Sequence, residues 1–167
     1  MNKASLNIDF SLPIIAPLQS WFETLPTEVP LRSHPTKQND AKAKSLQLLI
    51  ASNSAIQGTF VEALLWLRLG KLDPAHGIVQ DDTQGLGAYI HGFLHRMEGD
   101  FWNANYWFRR VRDPKLIHSI LERVPPETPT ADHLTDACEQ ARVDAKLLQL
   151  YVTQEWLALF QVACSVT

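Results

Sequence analysis

A regular succession of helix-ending and helix-starting residues divides the chain from residue 38 onward. Gly70 and Gly99 each follow an apolar run with helical spacing, as C-terminal glycines do. The pairs Asp73-Pro74 and Asp113-Pro114 each place a capping side chain before a proline at the first helical position. No segment shows the strict alternation of apolar and polar residues that a half-buried strand requires. The sequence therefore predicts an all-α fold.

These signals divide the body into helices of ordinary length. We expect helices at 40–51, at 54–69 with Ser54 as N-cap, at 73–79 with Asp73 as N-cap, at 84–98, at 101–111 with Asp100 as N-cap, at 114–123, at 130–142 and at 144–163. A break at the prolines of residues 125–129 separates the last two from the rest.

The first 37 residues differ from the body because they hold five of the ten prolines. A proline in a helix interior loses a hydrogen bond, so this segment is expected to be an irregular arm with one short helix near 15–24. It also carries apolar side chains, which favour packing on the body over exposure to solvent. We therefore expect an arm at 1–37 packed on one helical domain at 38–167, with repeat-like hairpins at about 55–80 and 84–111 and C-terminal capping helices at 130–163.

The composition excludes several classes of function. A length of 167 residues suits one domain, and the net charge of −3 gives no basic excess for nucleic acid or an anionic membrane. No run of 18 apolar residues or secretory signal pattern is present, and the two cysteines, Cys138 and Cys164, lie in helical patterns rather than in a paired metal motif. We expect a cytoplasmic protein with buried, reduced thiols.

The middle of the chain contains an internal repeat. LLWLRLGKLDPAHGIV and FLHRMEGDFWNANYWF align without gaps, so that Gly70 matches Gly99, Ala75 matches Ala104 and Val79 matches Phe108, 29 positions apart. Each unit is a helix, a glycine turn and a helix, with a small residue where two helices approach closely.

These residues resemble the tetratricopeptide repeat superfamily and its Sel1-like members. Gly92, Gly99, Phe101, Ala104 and Phe108 occupy the motif positions of the second unit. The period is shorter than the usual 34 or so residues. The resemblance implies a TPR-like array of antiparallel helix hairpins. The run HGFLHRMEGDFWNANYWFRRV is also similar to a family whose members share the core HxxxHRxEGDxxNAxYWxRR, and that similarity implies no particular activity.

A strip of polar residues lies on the helix that precedes Gly99. At about 100° per residue, His91, His95 and Glu98 share one narrow face, next to the apolar arc of that helix. Two imidazoles one turn apart and a carboxylate are suitable ligands for a divalent metal, and His118 on a later helix is a fourth candidate. The alternatives are acid/base chemistry or a hydrogen-bonded network that fixes two helices together.

A second strip, on the following helix, is aromatic and basic. Trp102, Tyr106 and Arg109 are spaced about one turn apart, and Arg110 lies beside them. Such a strip can stack a planar or cationic ligand or anchor a partner protein, or it can pack against the next hairpin.

Two functions remain as hypotheses. The first is an interaction or scaffolding module that holds a partner peptide or a small ligand against Tyr89, Trp102, Tyr106, Arg109 and Arg110, with a homodimer as a further expectation. The second is an enzyme, or a sensor of a small molecule or a metal, in which His91, His95 and Glu98 are the working groups and a divalent metal is the cofactor.

Overall fold

The computed structural model describes residues 8–31, 37–124, 130–140 and 145–167. Within these ranges the chain is helical and has no strand, which confirms the all-α prediction. The helices are α1 (Gln19–Phe22, preceded by a 3-10 turn at Ala16–Leu18), α2 (Lys37–Ser52), α3 (Phe60–Arg68), α4 (Leu72–Val79), α5 (Gly85–Glu98), α6 (Phe101–Phe108), α7 (Pro114–Leu121), α8 (Ala131–Gln140) and α9 (Ala145–Val166).

Some predictions fall outside the described residues. These are the ends of the arm at 1–7 and 32–36, the proline break at 125–129 and the junction of the two C-terminal helices at 141–144.

Two aspartate caps act as predicted, but the predicted start of α3 is wrong. Asp100 accepts a hydrogen bond from the backbone N–H of Asn103, and Asp113 accepts from two backbone N–H groups at the start of α7. Helix α3 starts at Phe60 rather than near Ser54. Its N-cap is Thr59, whose Oγ1 accepts from the N–H of Glu62, while the Glu62 carboxylate accepts from the N–H of Gly58 at 2.7 Å. This reciprocal arrangement resembles a capping box and satisfies two N–H groups, so it fixes the start of the helix.

Helix α4 also begins differently from the prediction. Its first residue is Leu72, and Lys71 rather than Asp73 occupies the N-cap position, with no side-chain hydrogen bond there.

Helices α3 with α4 and α5 with α6 form two helix pairs, each joined by a glycine turn. Gly70 has φ of 67° and Gly99 has φ of 93°, a left-handed conformation that other residues adopt only with strain. In the second pair α5 approaches α6 so closely at Gly92 that an added Cβ would lie 2.8 Å from the ring of Phe108. The absence of a side chain at this position therefore sets the distance between α5 and α6.

Helix α9 packs against several of the other helices. Trp156 is fully buried, stacks on Phe160 with ring centroids 5.0 Å apart, and donates from Nε1 to the carbonyl of Leu64 at 2.9 Å. The helix contacts α3, α5, α7 and α8. Because its apolar residues face several directions, this helix is buried over most of its length.

The described part of the arm lies against α9. Phe22 contacts Phe160 with ring centroids 5.5 Å apart, and the backbone N–H of Val29 donates to Thr153 Oγ1 at 3.0 Å. Ile15, Leu18 and Trp21 are buried in the same core. None of the helices in the described ranges combines the length and apolar character needed to cross a membrane.

The close contact at Gly92 gives a test of the packing. We expect Gly92→Ala to lower the free energy of unfolding by about 1–3 kcal/mol, because the new Cβ overlaps the Phe108 ring and approaches the Ala104 carbonyl at 3.1 Å. Gly77, on α4, has no heavy atom within 4 Å of an added Cβ, so Gly77→Ala is the matched control and should stabilise by up to about 1 kcal/mol. Urea denaturation measures both. Equal effects of the two substitutions would contradict the close approach of α5 and α6.

Candidate functional site

Three histidines from two helices come together at the junction of α4, α5 and α6. His76 of α4 lies with its Nε2 3.0 Å from Nε2 of His91, which belongs to α5. His91 and His95 are one turn apart and their rings stack with centroids 4.9 Å apart. One ligand nitrogen from each of the three lies within 4.8 Å of the other two. The strip predicted on α5 is therefore completed by a residue of the preceding helix rather than by His118.

The surroundings of His91 keep its imidazole neutral. The residue is 3% exposed, and its ring stacks on Trp107 of α6 with centroids 3.9 Å apart. Its Nδ1 is buried with no hydrogen-bond partner among the described residues, and its Nε2 faces another histidine. Burial, followed by the charges that His95 and His76 would carry, lowers the pKa of His91 to about 4. A neutral imidazole is the form that binds a metal.

A carboxylate and an amide orient His95. Its Nδ1 lies 3.0 Å from Glu98 Oε2, and its Nε2 lies 3.2 Å from Asn103 Nδ2. The tautomer with hydrogen on Nδ1 satisfies both contacts, since Nδ1–H donates to Glu98 and Nε2 accepts from Asn103. A histidine that donates to a carboxylate through one nitrogen presents the other to a metal, in the arrangement common among protein metal ligands.

The spacing of the nitrogens is compatible with a shared metal ion. Two nitrogens each about 2.05 Å from a tetrahedral Zn²⁺ lie roughly 3.3 Å apart. His76 and His91 are already near this separation at 3.0 Å. A ligand nitrogen of His95 lies within 4.8 Å of those of His76 and His91, so His95 would complete the set by moving closer and giving up its contact with Asn103. Imidazole suits Zn²⁺, Cu²⁺, Ni²⁺ and Fe²⁺.

The remaining residues of the predicted metal set have different positions. The Glu98 side chain is 52% exposed and contacts His95 from the solvent side, so it orients a histidine rather than facing His76 and His91. It forms a second group with His95 and the exposed Asp100. His118 is 80% exposed on α7 and lies 3.6 Å from Glu122. It is not part of either group.

Another face of α5 carries a buried ion pair. Arg96 and Glu155 of α9 are 2% and 0% exposed, and Arg96 Nη2 donates to Glu155 Oε2. The hydroxyl of Tyr89 donates to Glu155 Oε1 at 2.9 Å. The Arg96 guanidinium also lies over the rings of Phe93 and Phe108, at 5.0 and 5.4 Å from their centroids. Burial opposes the charge of Arg96, but the attraction of Glu155 and its other partners outweighs it and raises the pKa of Arg96, so the pair stays charged.

The residues of the predicted aromatic and basic strip on α6 do not form one surface in the structure. Trp102 is 75% exposed, and its ring stacks on that of Tyr106 with centroids 6.1 Å apart. Arg110 lies over the Tyr106 ring at 4.7 Å and donates to its hydroxyl. These three residues are called the aromatic platform below. Arg109 is exposed but interacts with Asp132 rather than with the platform. Burial raises the pKa of Asp132, and the positive charge of Arg109 opposes this rise in part. Tyr89 is 1% exposed and does not share an accessible surface with the platform.

The sequence analysis did not predict a role in the site for three residues of this region. His76 is a single histidine in LDPAHGIV, Trp107 is one aromatic residue among several, and Glu155 is one acidic residue in a C-terminal helix. A signal existed for Glu155, because a lone acid in a largely apolar helix needs a partner when that helix is buried.

No known protein-family model, curated protein or solved structure gives a significant match to the chain.

The lowered pKa of His91 predicts a specific pH dependence of stability. Above pH 6.5 the histidine is neutral in both the folded and the unfolded chain, so it contributes nothing. As the pH falls from 6.5 toward 4, the unfolded chain binds a proton that the folded chain does not, so the free energy of unfolding decreases by at most about 3 kcal/mol.

Urea denaturation of the metal-free protein at several pH values in this range measures the effect. His91→Gln should remove part of the decrease, whereas His118→Gln, which changes an exposed histidine, should keep the wild-type dependence. If the two variants respond alike, His91 does not have the environment described.

Proposed function

We propose that the protein binds one divalent transition-metal ion through His76, His91 and His95. The observation that carries this proposal is the position of His76, whose Nε2 lies 3.0 Å from that of His91 and turns a pair of histidines on one helix into a three-nitrogen set. Three protein ligands leave one position of a tetrahedral ion for water or a ligand, which is the pattern of catalytic rather than structural zinc. His76 is half-buried and gives the site its contact with solvent.

The hydrogen bond between His95 and Glu98 supports a metal site. The carboxylate of Glu98 supports His95 from outside, as carboxylates that orient histidine ligands do in metal sites. With an open coordination position, such a metal could serve an enzyme or a metal-dependent sensor.

Metal content and affinity test the proposal. Protein purified without an affinity tag, stripped with EDTA and titrated with Zn²⁺ in a calorimeter should bind one equivalent. We expect His76→Gln to weaken binding by at least about a hundredfold, because one of three ligands is lost, and Glu98→Gln to weaken it by about 10- to 100-fold. His118→Gln is the matched control and should bind as the wild type does.

Two results contradict the metal proposal. One is less than a tenth of an equivalent of Zn²⁺, Cu²⁺, Ni²⁺ or Fe²⁺ bound by the wild type. The other is binding that His76→Gln and His118→Gln leave equally strong, which would place the metal elsewhere.

We also infer that α3 to α6 form a TPR-like pair of hairpins, in a protein of the cytoplasm. Support for the repeat comes from equivalent positions in the two hairpins. Gly70 and Gly99 both have a left-handed backbone conformation, and Ala75 and Ala104 are both fully buried. Support for a reducing compartment comes from Cys164, since burial raises the pKa of its thiol to about 11 and keeps the thiol protonated.

A second function, binding of a partner protein or peptide, is favoured by the aromatic platform. Trp102 is a large apolar side chain left 75% exposed beside Tyr106, which is 38% exposed and has the Arg110 cation over its ring. Tryptophan, tyrosine and arginine are the residues that contribute most often to the centre of protein interfaces. A second copy of this chain is one such partner.

We expect Trp102→Ala to lose partner binding by at least about tenfold while the stability changes by less than about 0.5 kcal/mol, because the side chain is mostly exposed. Leu48→Ala is the matched control, since Leu48 is 73% exposed on α2. Affinity enrichment with mass spectrometry finds the partner, titration of the purified partner measures the loss, and sedimentation velocity detects self-association. Identical partner binding and self-association by the two variants would count against the platform.

A further inference from the structure

A cavity of about 210 Å³ lies between the N-terminal arm and helices α2, α3 and α9. Its walls combine apolar residues of the arm and the end of α3 with polar side chains from three helices. Its lining includes Leu25, Pro30, Lys42, Arg68, Leu69 and Gln149. The three histidines do not line it, so this cavity is separate from the proposed metal site.

Arg68 contributes a buried positive charge to this cavity. Its side chain is 3% exposed, and its two terminal nitrogens donate to the carbonyl oxygens of Pro26 and Glu28. These carbonyls fix the plane of the guanidinium but bring no negative charge. Burial lowers the pKa of Arg68 to about 10, and the more distant charge of the Glu28 carboxylate opposes this only in part. No carboxylate forms a salt bridge with Arg68 in the described ranges, although buried charges are usually paired.

Two hydrogen-bond donors of the cavity residues also lack acceptors. Arg68 Nε and Gln149 Nε2 are buried, and neither has a partner within the described part of the chain. Lys42 adds a second, half-buried cation to the wall, whereas Glu28, the one carboxylate among the described lining residues, is exposed. Unpaired donors next to a buried cation without a salt bridge favour an occupant that is an anion and an acceptor of hydrogen bonds.

The rest of the cavity wall indicates the size of the ligand and the polarity of its uncharged part. Leu25, Pro30 and Leu69 provide apolar surface that a fully polar ion such as phosphate would leave unused. The volume is below the roughly 300–1,000 Å³ of sites for drug-sized molecules, so the occupant is small.

We propose that this cavity binds a small organic carboxylate. The carboxylate lies next to Arg68 and Lys42 and supplies the negative charge that Arg68 does not receive from a salt bridge within the described residues. Gln149 Nε2 is covered in this structure, so the Gln149 side chain turns toward the cavity to donate to the carboxylate. Its apolar part lies against Leu25 and Leu69. Because Arg68 also holds the backbone of the arm at residues 26 and 28, the ligand stabilises the contact between the arm and the body.

Binding of a carboxylate series, with uncharged amides of the same shape, tests this site. Acetate, butyrate, hexanoate and benzoate are each titrated into the full-length protein and compared with the corresponding amides and with inorganic phosphate. We expect at least one of the larger carboxylates to raise Tm and to bind at least about tenfold more tightly than its amide, because only the carboxylate neutralises Arg68. Acetate and phosphate should bind more weakly, since neither covers the apolar wall.

Substitutions of the lining residues test whether the carboxylate binds in this cavity. Gln149→Leu and Lys42→Met should each weaken binding of the tightest-binding carboxylate by about tenfold. The control is Lys44→Met, which changes a lysine of the same helix that does not line the cavity, and it should leave this affinity unchanged. Arg68→Met should abolish binding, and the two milder variants keep the test valid if that protein fails to fold. His76→Gln should bind the carboxylate normally, which separates this result from that of the metal titration.

The proposal is overturned if no carboxylate of the series binds more tightly than its amide. It is also overturned if phosphate binds most tightly, or if Lys44→Met weakens binding as much as Lys42→Met does.

Discussion

The buried contact between Arg96 and Glu155 is the interaction on which the arrangement of the helices depends. Both side chains are almost completely removed from water, and such a pair is tolerated only when its geometry and its further hydrogen bonds repay the loss of hydration. Tyr89 supplies one of those bonds. At about 100° per residue, Tyr89 and Arg96 lie on one face of α5, and His91 and His95 lie on another face about 130° away. Fixing the first face of α5 against α9 therefore determines where the second face points, which is toward α4 and α6.

The close packing of α5 and α6 brings the residues around the three histidines together. Gly92 lets α6 approach α5, and the approach brings Trp107 onto the ring of His91. The Trp107 ring then meets Tyr106 edge to face at 5.6 Å, so a continuous series of rings runs from the histidines to the exposed platform. Trp107, which packs on the proposed metal site, and Tyr106, which belongs to the proposed partner surface, are thus consecutive residues of α6. The cavity beneath the arm shares no residue with either, so the carboxylate proposal stands or falls separately from them.

The sequence predicted the helical class and most helix ends because those depend on local chemistry. Asp100, Asp113 and Gly99 act within a few residues of their own position, and their effects follow from capping rules. The start of α3 also follows from local chemistry, since Thr59 and Glu62 have the spacing of a capping box, although Ser54 offers an alternative N-cap five residues earlier. The pairs that build the site, His76 with His91 and Arg96 with Glu155, depend on how helices rotate against each other. Helical periodicity places His91 and His95 on one face, but it does not say which neighbouring helix supplies the third histidine.

The most direct test of the central claim is the position of a metal in a crystal of the protein loaded with one equivalent of Zn²⁺, located by anomalous scattering at the zinc edge. We predict a single strong peak about 2.0–2.1 Å from Nε2 of both His76 and His91, with a nitrogen of His95 as third ligand. A crystal of loaded protein with no peak among these three histidines, or with its strongest peak elsewhere, would contradict it.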